Sequence, residues 1–521
     1  MKNVAKAKAL RREAPGGAAA RVRNSGYSNY GANTQKKSMR GWLYYGGDAK
    51  RDIEDNINVL RQRSRDAYMG VPLATAELKT LRTNTVAAGL TPTPQIDGEF
   101  LKMDVDGVAG LQAEIMREWN LWAKSSLCDA DRIDNFYQLQ QLAYLSALMN
   151  GDAFALLQTE DAPGMPYSLR VRLIEADRVC SPDMMDVLLP TTIQGHNVER
   201  IVQGVETDRN GRIVAYWICN RHPLAADMQD GGAQWTRVEA YGEKTGRRNV
   251  LHIMQRERAG QLRGVPLLAP VLESLKQLGR YSDAELNAAV ITAAYTIFIE
   301  KDSAGEAPPL GEMLPEDQQI DAADPTSIEL APGAIVDLNP GEKMNETKPS
   351  RPNANFEAFY RAITKEIAAA LETPIEVVEK TFSTSYSAAR GALNEFWRTC
   401  EMQRDWFTNK FCQPIYELWL AEAVGLGRVK APGFFSDPAV SAAYSACKWN
   451  GPARTNLNPV QEVTAAEKRI GLGISTAEQE TAQMTGGSYA ANIRQRRIEA
   501  EQKAEVDGIA SAKKTTERTE Q

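Results

Sequence analysis

The chain has 521 residues, of which 43% are hydrophobic and 25% charged, and a formal net charge of −6. That length exceeds one ordinary core and implies several structural units, and the composition is that of a folded globular protein, which excludes a largely disordered or membrane-embedded chain. The charge is uneven, because residues 1–51 carry twelve Lys or Arg against Glu13 and Asp48, so a basic arm precedes an acidic body.

From Met1 to about Ser38 the sequence is rich in Gly, Ala, Asn, Ser and Lys without apolar periodicity, and irregular structure is expected. The arm is read either as a solvated leader or as a contact for an anionic partner, nucleic acid or an acidic protein surface. It never builds the apolar stretch of a secretory signal, so the cytoplasm is the expected compartment of synthesis. Ile53, Ile57 and Leu60 at helical spacing predict a helix over about Asp48–Tyr68. A second runs from Leu73 through Leu78, Leu81 and Val86 to a stop at Gly89, and Leu90–Thr93 follows as an extended edge marked by Pro92 and Pro94. Helices are predicted over Val108–Lys124 and Asn135–Asn150, the latter ending at Asn150-Gly151. Ala153–Gln158, Leu169–Ile174, Arg200–Val205 and Arg212–Cys219 read as strands, with a hairpin turn at Asp208-Arg209-Asn210-Gly211, so a mixed α/β unit spans about 50–255.

A long helical block is predicted from Pro270 to about Ile299, as one kinked element or as two joined near Gly279. Its longest apolar stretch, Ala288–Ile299, is interrupted by Thr292 and Thr296 and falls short of the roughly 20 residues of a membrane span. Residues 300–325 then change character: eight acids, Glu312, Glu316, Asp317 and Asp321 among them, face the single base Lys301, which marks a boundary or a protruding lobe. Short strands around Ile328–Leu338 precede a helix over Asn355–Glu372 that Thr373-Pro374 ends. Pro374–Ser385 reads as irregular. A long helix over Ser387–Glu422 carries Phe396, Trp397, Trp406, Phe407, Phe411, Tyr416 and Trp419, with a kink expected at Pro414. Asn458–Ile470, Thr476–Met484 and Tyr489–Val506 read as helices, and Ala510–Gln521 as a frayed polar tail.

No phosphate loop, Rossmann fingerprint, zinc-protease helix or nucleophile elbow is present. Cys128, Cys180, Cys219, Cys400, Cys412 and Cys447 are scattered without a Cys-x-x-Cys and read as reduced structural thiols. Of the three histidines, His196, His222 and His252, only His222 lies near a cysteine, Cys219, and one such pair falls short of a zinc set. Ser383, Ser385 and Ser387 near Arg390 and Glu395 imitate a nucleophile site, but capping of the following helix by Ser385 or Thr384 accounts for them better. The aromatics of residues 396–419 could stack nucleic-acid bases, although core packing is the expectation. No catalytic residue, cofactor or metal is assigned.

Arg40-Gly41-Trp42-Leu43-Tyr44, Leu60-Arg61-Gln62-Arg63-Ser64-Arg65-Asp66 and Asn84-Thr85-Val86-Ala87-Ala88-Gly89-Leu90 resemble the N-terminal region of the lambda-type phage portal family. Leu251-His252-Ile253 with Arg258-Ala259-Gly260-Gln261-Leu262-Arg263-Gly264-Val265-Pro266 resembles its central motif, and Tyr386-Ser387-Ala388-Ala389-Arg390 with Phe396-Trp397-Arg398 its downstream one. The resemblance runs from about residue 40 to 508. It implies an α+β, mostly helical portal fold: a wing at 40–265 and 386–450, stem helices at 266–299 and 355–372, a clip at 300–354 and a helical crown at 451–508, between the arm at 1–39 and the tail at 509–521.

The resemblance also implies function. The chain would form a virion ring, usually of twelve copies, at one capsid vertex, passing double-stranded DNA and meeting the terminase, the major capsid protein and head-completion or tail connector proteins. Other head or connector components, and a nucleic-acid-processing enzyme with an unrecognised site, are the alternatives. Two site expectations follow. The acidic residues Glu312, Glu316, Asp317 and Asp321 belong to the clip, and Thr373–Ser385 projects into the channel as a loop carrying Glu376, Glu379, Lys380 and Phe382.

Overall fold

The computed structural model describes residues 31–34, 36–42, 46–225, 232–293, 297–299, 335–337, 355–381, 385–454 and 458–519. It divides into two units, Met1–Asp48 and Ala49–Gln521. In the first, a single 3-10 turn, Lys37–Met39, is described.

In the second unit the apolar periodicity of the N-terminal part becomes α1 (Ala49–Asp52), α2 (Ile57–Gly70) and α3 (Pro72–Thr85). The break falls at Val71 because Pro72 takes the first helical position of α3, where a missing N–H removes no bond. β1 (Thr91–Pro94), α4 (Gly98–Leu101) and α5 (Val105–Ala123) follow, the last capped by the Asp104 carboxylate on the Gly107 N–H. α6 (Phe136–Asn150) opens on a reciprocal Asn135–Gln138 capping box and stops at Gly151, whose φ of 88° a side chain would strain.

The strands are β2 (Asp152–Thr159), β3 (Leu169–Ile174), β4 (Thr191–Ile193), β5 (His196–Val198), β6 (Arg200–Val202), β7 (Val205–Thr207), β8 (Ile213–Cys219), β9 (Trp235–Glu239) and β10 (Val250–Met254). They form an antiparallel sheet β10-β2-β3, a four-stranded sheet β6-β7-β8-β9 and the β4-β5 pair. Arg200–Val205 is thus two strands, because Gln203 and Gly204 both turn through positive φ. The expected hairpin turn joins β7 to β8, with the Asp208 carboxylate accepting from the Asn210 and Arg212 N–H groups.

α7 (Leu272–Ala293) passes Gly279 unbroken but ends before the expected Ile299. The β-branched and aromatic run Thr296-Ile297-Phe298-Ile299 supplies β11 (Ile297–Ile299) instead, paired in parallel with β12 (Ile335–Asp337). α8 (Phe356–Ala370) comes next. The expected irregular stretch after Pro374 contains a short helix, α9 (Ile375–Glu379), which buries Val378.

The long aromatic helix is three pieces: α10 (Tyr386–Phe407), a π turn over Thr408–Cys412 and α11 (Gln413–Gly425). Pro414 would leave the Lys410 carbonyl without a donor and its ring would crowd that oxygen, and one widened turn accommodates it. α12 (Pro438–Ser445) and β13 (Cys447–Asn450) follow, β13 pairing antiparallel with the proline-rich β1. α13 (Pro459–Gly471), α14 (Ala477–Thr485) and α15 (Tyr489–Thr519) complete the unit, α15 continuing through the segment expected to fray.

The main core is aromatic and non-local. Trp119 of α5 meets Trp419 of α11 with ring centroids 5.0 Å apart, Phe136 of α6 stacks on Phe411 of the π turn at 5.7 Å, and Tyr144 meets Phe407 at 5.4 Å. These rings are buried, so the aromatics at the heart of residues 396–419 are core and not a base-stacking face. A second core, with Phe154, Ile174, Val202, Tyr216 and Val250, lies between the two larger sheets.

Candidate channel segment and the ionic centre at Asp152

Where α6 hands over to β2, Asp152 is fully buried beneath two equally buried guanidinium groups. Arg263 donates from Nε to Oδ2 at 2.6 Å and from Nη2 to Oδ1 at 3.2 Å, and Arg61 of α2 donates to Oδ1 at 2.9 Å. The Gly264 N–H and His252 Nε2 also reach Oδ2, at 3.2 and 3.3 Å. Arg263 continues to the carbonyls of Ala176, Val179 and Gln203, and Arg61 to that of Asn150. Every N–H of this centre used in these bonds therefore replaces water that burial removed.

The electrostatics follow from that count. Burial alone would raise the Asp152 carboxyl, but Arg263 and Arg61 outweigh it and hold it well below the usual carboxylate range. Burial lowers Arg61 to about 10, Arg263 adding to the effect, which leaves it charged at neutral pH. Burial likewise lowers His252 against the pull of Asp152, and the ring stacks on Phe154 at 4.3 Å. His252 is neutral here, a donor to Asp152.

The centre joins residues from separate stretches of sequence: Arg61, His252, Arg263 and Gly264 come from two of the blocks singled out above, while Asp152 comes from none. Its sequence signal was an acid directly after the Asn150-Gly151 helix stop, opening an otherwise apolar strand. Two further ties close the long-range core. Glu118 of α5 accepts from Tyr167 at 2.7 Å and from Arg428 Nε at 2.6 Å, and Glu422 of α11 accepts from the Ser168 and Leu169 N–H groups.

His222 does not pair with Cys219, whose thiol faces Asn220. Among the described residues its ring falls instead with Glu175 and Asp177, ligand atoms within 4.8 Å of one another. Arg65 already engages both carboxylates, so a cation occupies the place a metal would take. Ser385 caps α10 by accepting from the Ala388 N–H; Ser383 and Thr384 lie outside the described residues.

Of the expected channel residues, Glu376 and Glu379 stand on α9, and Glu379 lies 3.4 Å from Arg361 of α8. Lys380 is exposed and turns through φ 54° at the end of α9. The segment is thus partly anchored and not a bare loop, because Ile375 and Val378 share a face at one-turn spacing and Val378 is buried. Phe382 lies outside the described residues, as do the acidic Glu312, Glu316, Asp317 and Asp321.

Comparison with known proteins bears on these blocks directly. The chain is 23% identical over 406 residues to portal protein B of Escherichia phage lambda, covering 74% of this chain and 72% of that one. It is 21% identical over 467 residues to the portal protein of Escherichia phage N15, covering 85% and 84%. A chain from the neck of a native gene transfer agent particle, computed with C12 symmetry, aligns over 82% of this chain and 92% of its own length at 14% identity, with a TM-score of 0.37. The family model described as phage portal protein, lambda family, matches residues 35–404, a span that holds the whole ionic centre and one partner of each aromatic pair described above. By that match the chain belongs to the lambda family of phage portal proteins.

Proposed function

We propose that the chain assembles into the portal ring at one capsid vertex, usually of twelve copies, through which double-stranded DNA is packaged and ejected. The family match over residues 35–404 carries this reading. The role is structural, with ATP hydrolysis left to a separate terminase that docks on the ring, and with the major capsid protein and head-completion or tail connector proteins as its other neighbours. The parts are assigned as wing (40–265 and 386–450), stem (266–299 and 355–372), clip (300–354) and crown (451–508). Supporting the stem assignment, α7 and α8 meet through Tyr281 against Phe356 and Phe359, at 5.4 and 5.0 Å. Leu286, Val290 and Phe359 remain at least half exposed on this pair, an apolar surface that a neighbouring copy would cover. Charge favours passage over gripping: outside residues 1–51 the chain is acidic, and a ring multiplies each inward carboxylate against a duplex bearing about one negative charge per 1.7 Å.

Purified protein viewed by negative-stain electron microscopy is expected to form closed rings with a hole wide enough for duplex DNA. Monomers or dimers alone under capsid-assembly conditions would count against the assignment. Residues 373–385 are proposed to face the lumen, since they follow the stem directly and leave Lys380 exposed. Deleting residues 376–380 is then expected to spare ring assembly while impairing DNA packaging or retention, and unchanged packaging and retention would remove the segment from the channel.

A further inference from the structure

Glu77 of α3 is a buried carboxylic acid that the ionic centre does not use. It is 2% exposed, and its Oε1 has no hydrogen-bond partner. The Thr373 side chain lies beside this carboxyl while its hydroxyl donates to the Leu371 carbonyl at 3.3 Å, and Thr373 is itself buried, between the end of α8 and the start of α9. Two non-glycine residues in the left-handed region bracket the short helix, Glu372 at φ 55° and Lys380 at φ 54°, so the segment has a turning point at each end. Between them it is held by the burial of Val378, by the Arg361–Glu379 ion pair and by the packing of buried Thr373 beside Glu77.

Among the described residues no cation balances Glu77. α3 packs against α2, α6, α9 and α10. Arg65 of α2 engages Asp177 and Asn150, Tyr144 of α6 donates to Thr85, and Arg404 of α10 donates to the carbonyls of Asn84 and Thr85. On α9 the charged groups are Glu376 and Glu379, neither of which can neutralise a carboxylate. Burial therefore pushes the Glu77 carboxyl up to about 7, with the Thr373 hydroxyl opposing.

We propose that Glu77 is a protonation-sensitive positioning residue for residues 373–380: with the carboxyl neutral, α9 stays packed against α3, and with it ionised, the segment is released about Glu372 and Lys380. The sign follows from linkage. The packed arrangement holds the proton more tightly than one in which water reaches Glu77, so packing is fully supported below the ordinary carboxylate range and weakens as pH rises to about 7 and beyond. The inference stands wherever the assembled ring places the segment.

A nitroxide on Lys380→Cys of the full-length protein reads this motion. Five native thiols are buried, and the half-buried Cys447 is replaced by Ser to keep the label specific. The spectrum is expected to be immobilised at low pH and to gain a mobile component with a midpoint near 7. Glu77→Gln should stay immobilised throughout, and Thr373→Val, which removes the opposing hydroxyl, should move the midpoint upward. A flat pH profile in the parent protein, or a Glu77→Gln profile that titrates like it, overturns the proposal. If Glu77→Gln does not fold, a midpoint in Thr373→Val that is unchanged or lower overturns it.

Discussion

Asp152→Asn is expected to destabilise the protein by about 3–5 kcal/mol, the range for removing one partner of a buried ion pair. The replacement keeps the shape but leaves Arg61 and Arg263 buried side by side without the carboxylate they share. Their mutual repulsion already helps depress Arg61, so the loss of the carboxylate is felt by both. Adding Arg61→Met should recover part of the loss, because it removes one uncompensated cation while keeping an unbranched chain in the same space. Thermal midpoints of the parent, the two single variants and the double variant test this as a cycle. A drop of under about 1 kcal/mol in Asp152→Asn would mean that water or rearrangement satisfies the guanidinium groups, contrary to the closed site. The pH dependence has a definite sign as well. A carboxyl held below its unfolded value contributes stability that is present above the ordinary carboxylate range and is lost as pH falls through the depressed value, so this centre resists mild acid.

Gly264→Ala is expected to lower stability by about 3 kcal/mol, at the upper end of the range for overpacking. A Cβ at Gly264 would be driven into the backbone carbonyl of Gly151, and one at Gly151 into the backbone of Gly264. Neither obstacle is a side chain that can swing aside. The displacement would also draw the Gly264 N–H and the adjacent Arg263 off Asp152, coupling the two predictions at one corner. Gly391→Ala makes the contrast. It lies in α10 with nothing near the position of a new Cβ, so the better helix former is expected to raise stability by up to about 1 kcal/mol. Equal midpoint shifts for the two variants would show that the Gly151–Gly264 contact yields and that the corner is not closely packed.

Much of the fold was legible in the sequence, and the legible part is local. The helix start at Asn135, the stop at Gly151, the turn at Asp208–Gly211 and the interruption before Pro72 each depend on hydrogen bonds or dihedral limits within a few residues. The portal family was legible too, because several short blocks kept their order along the chain. The tertiary structure decided what those blocks are for. Thr91–Pro94 reads only as an edge with two missing donors, and its partner Cys447–Asn450 is held in place by Trp449, which packs on Trp119 of α5 and Tyr416 of α11. The run before Ile299 satisfies helical spacing and strand propensity alike, and Ile335–Asp337 as a partner settles it for the strand. Pro414 announces a kink but not a π turn, whose extra residue keeps Phe407, Phe411 and Tyr416 on the buried face. In sequence Asp152 is one acid after a helix stop, with no local feature that marks it. Its role exists only because Arg61 and Arg263, 91 and 111 residues away along the chain, converge on it. Local preferences act over one or two turns, whereas burial of charge is settled by which distant surfaces meet and by how completely they exclude water.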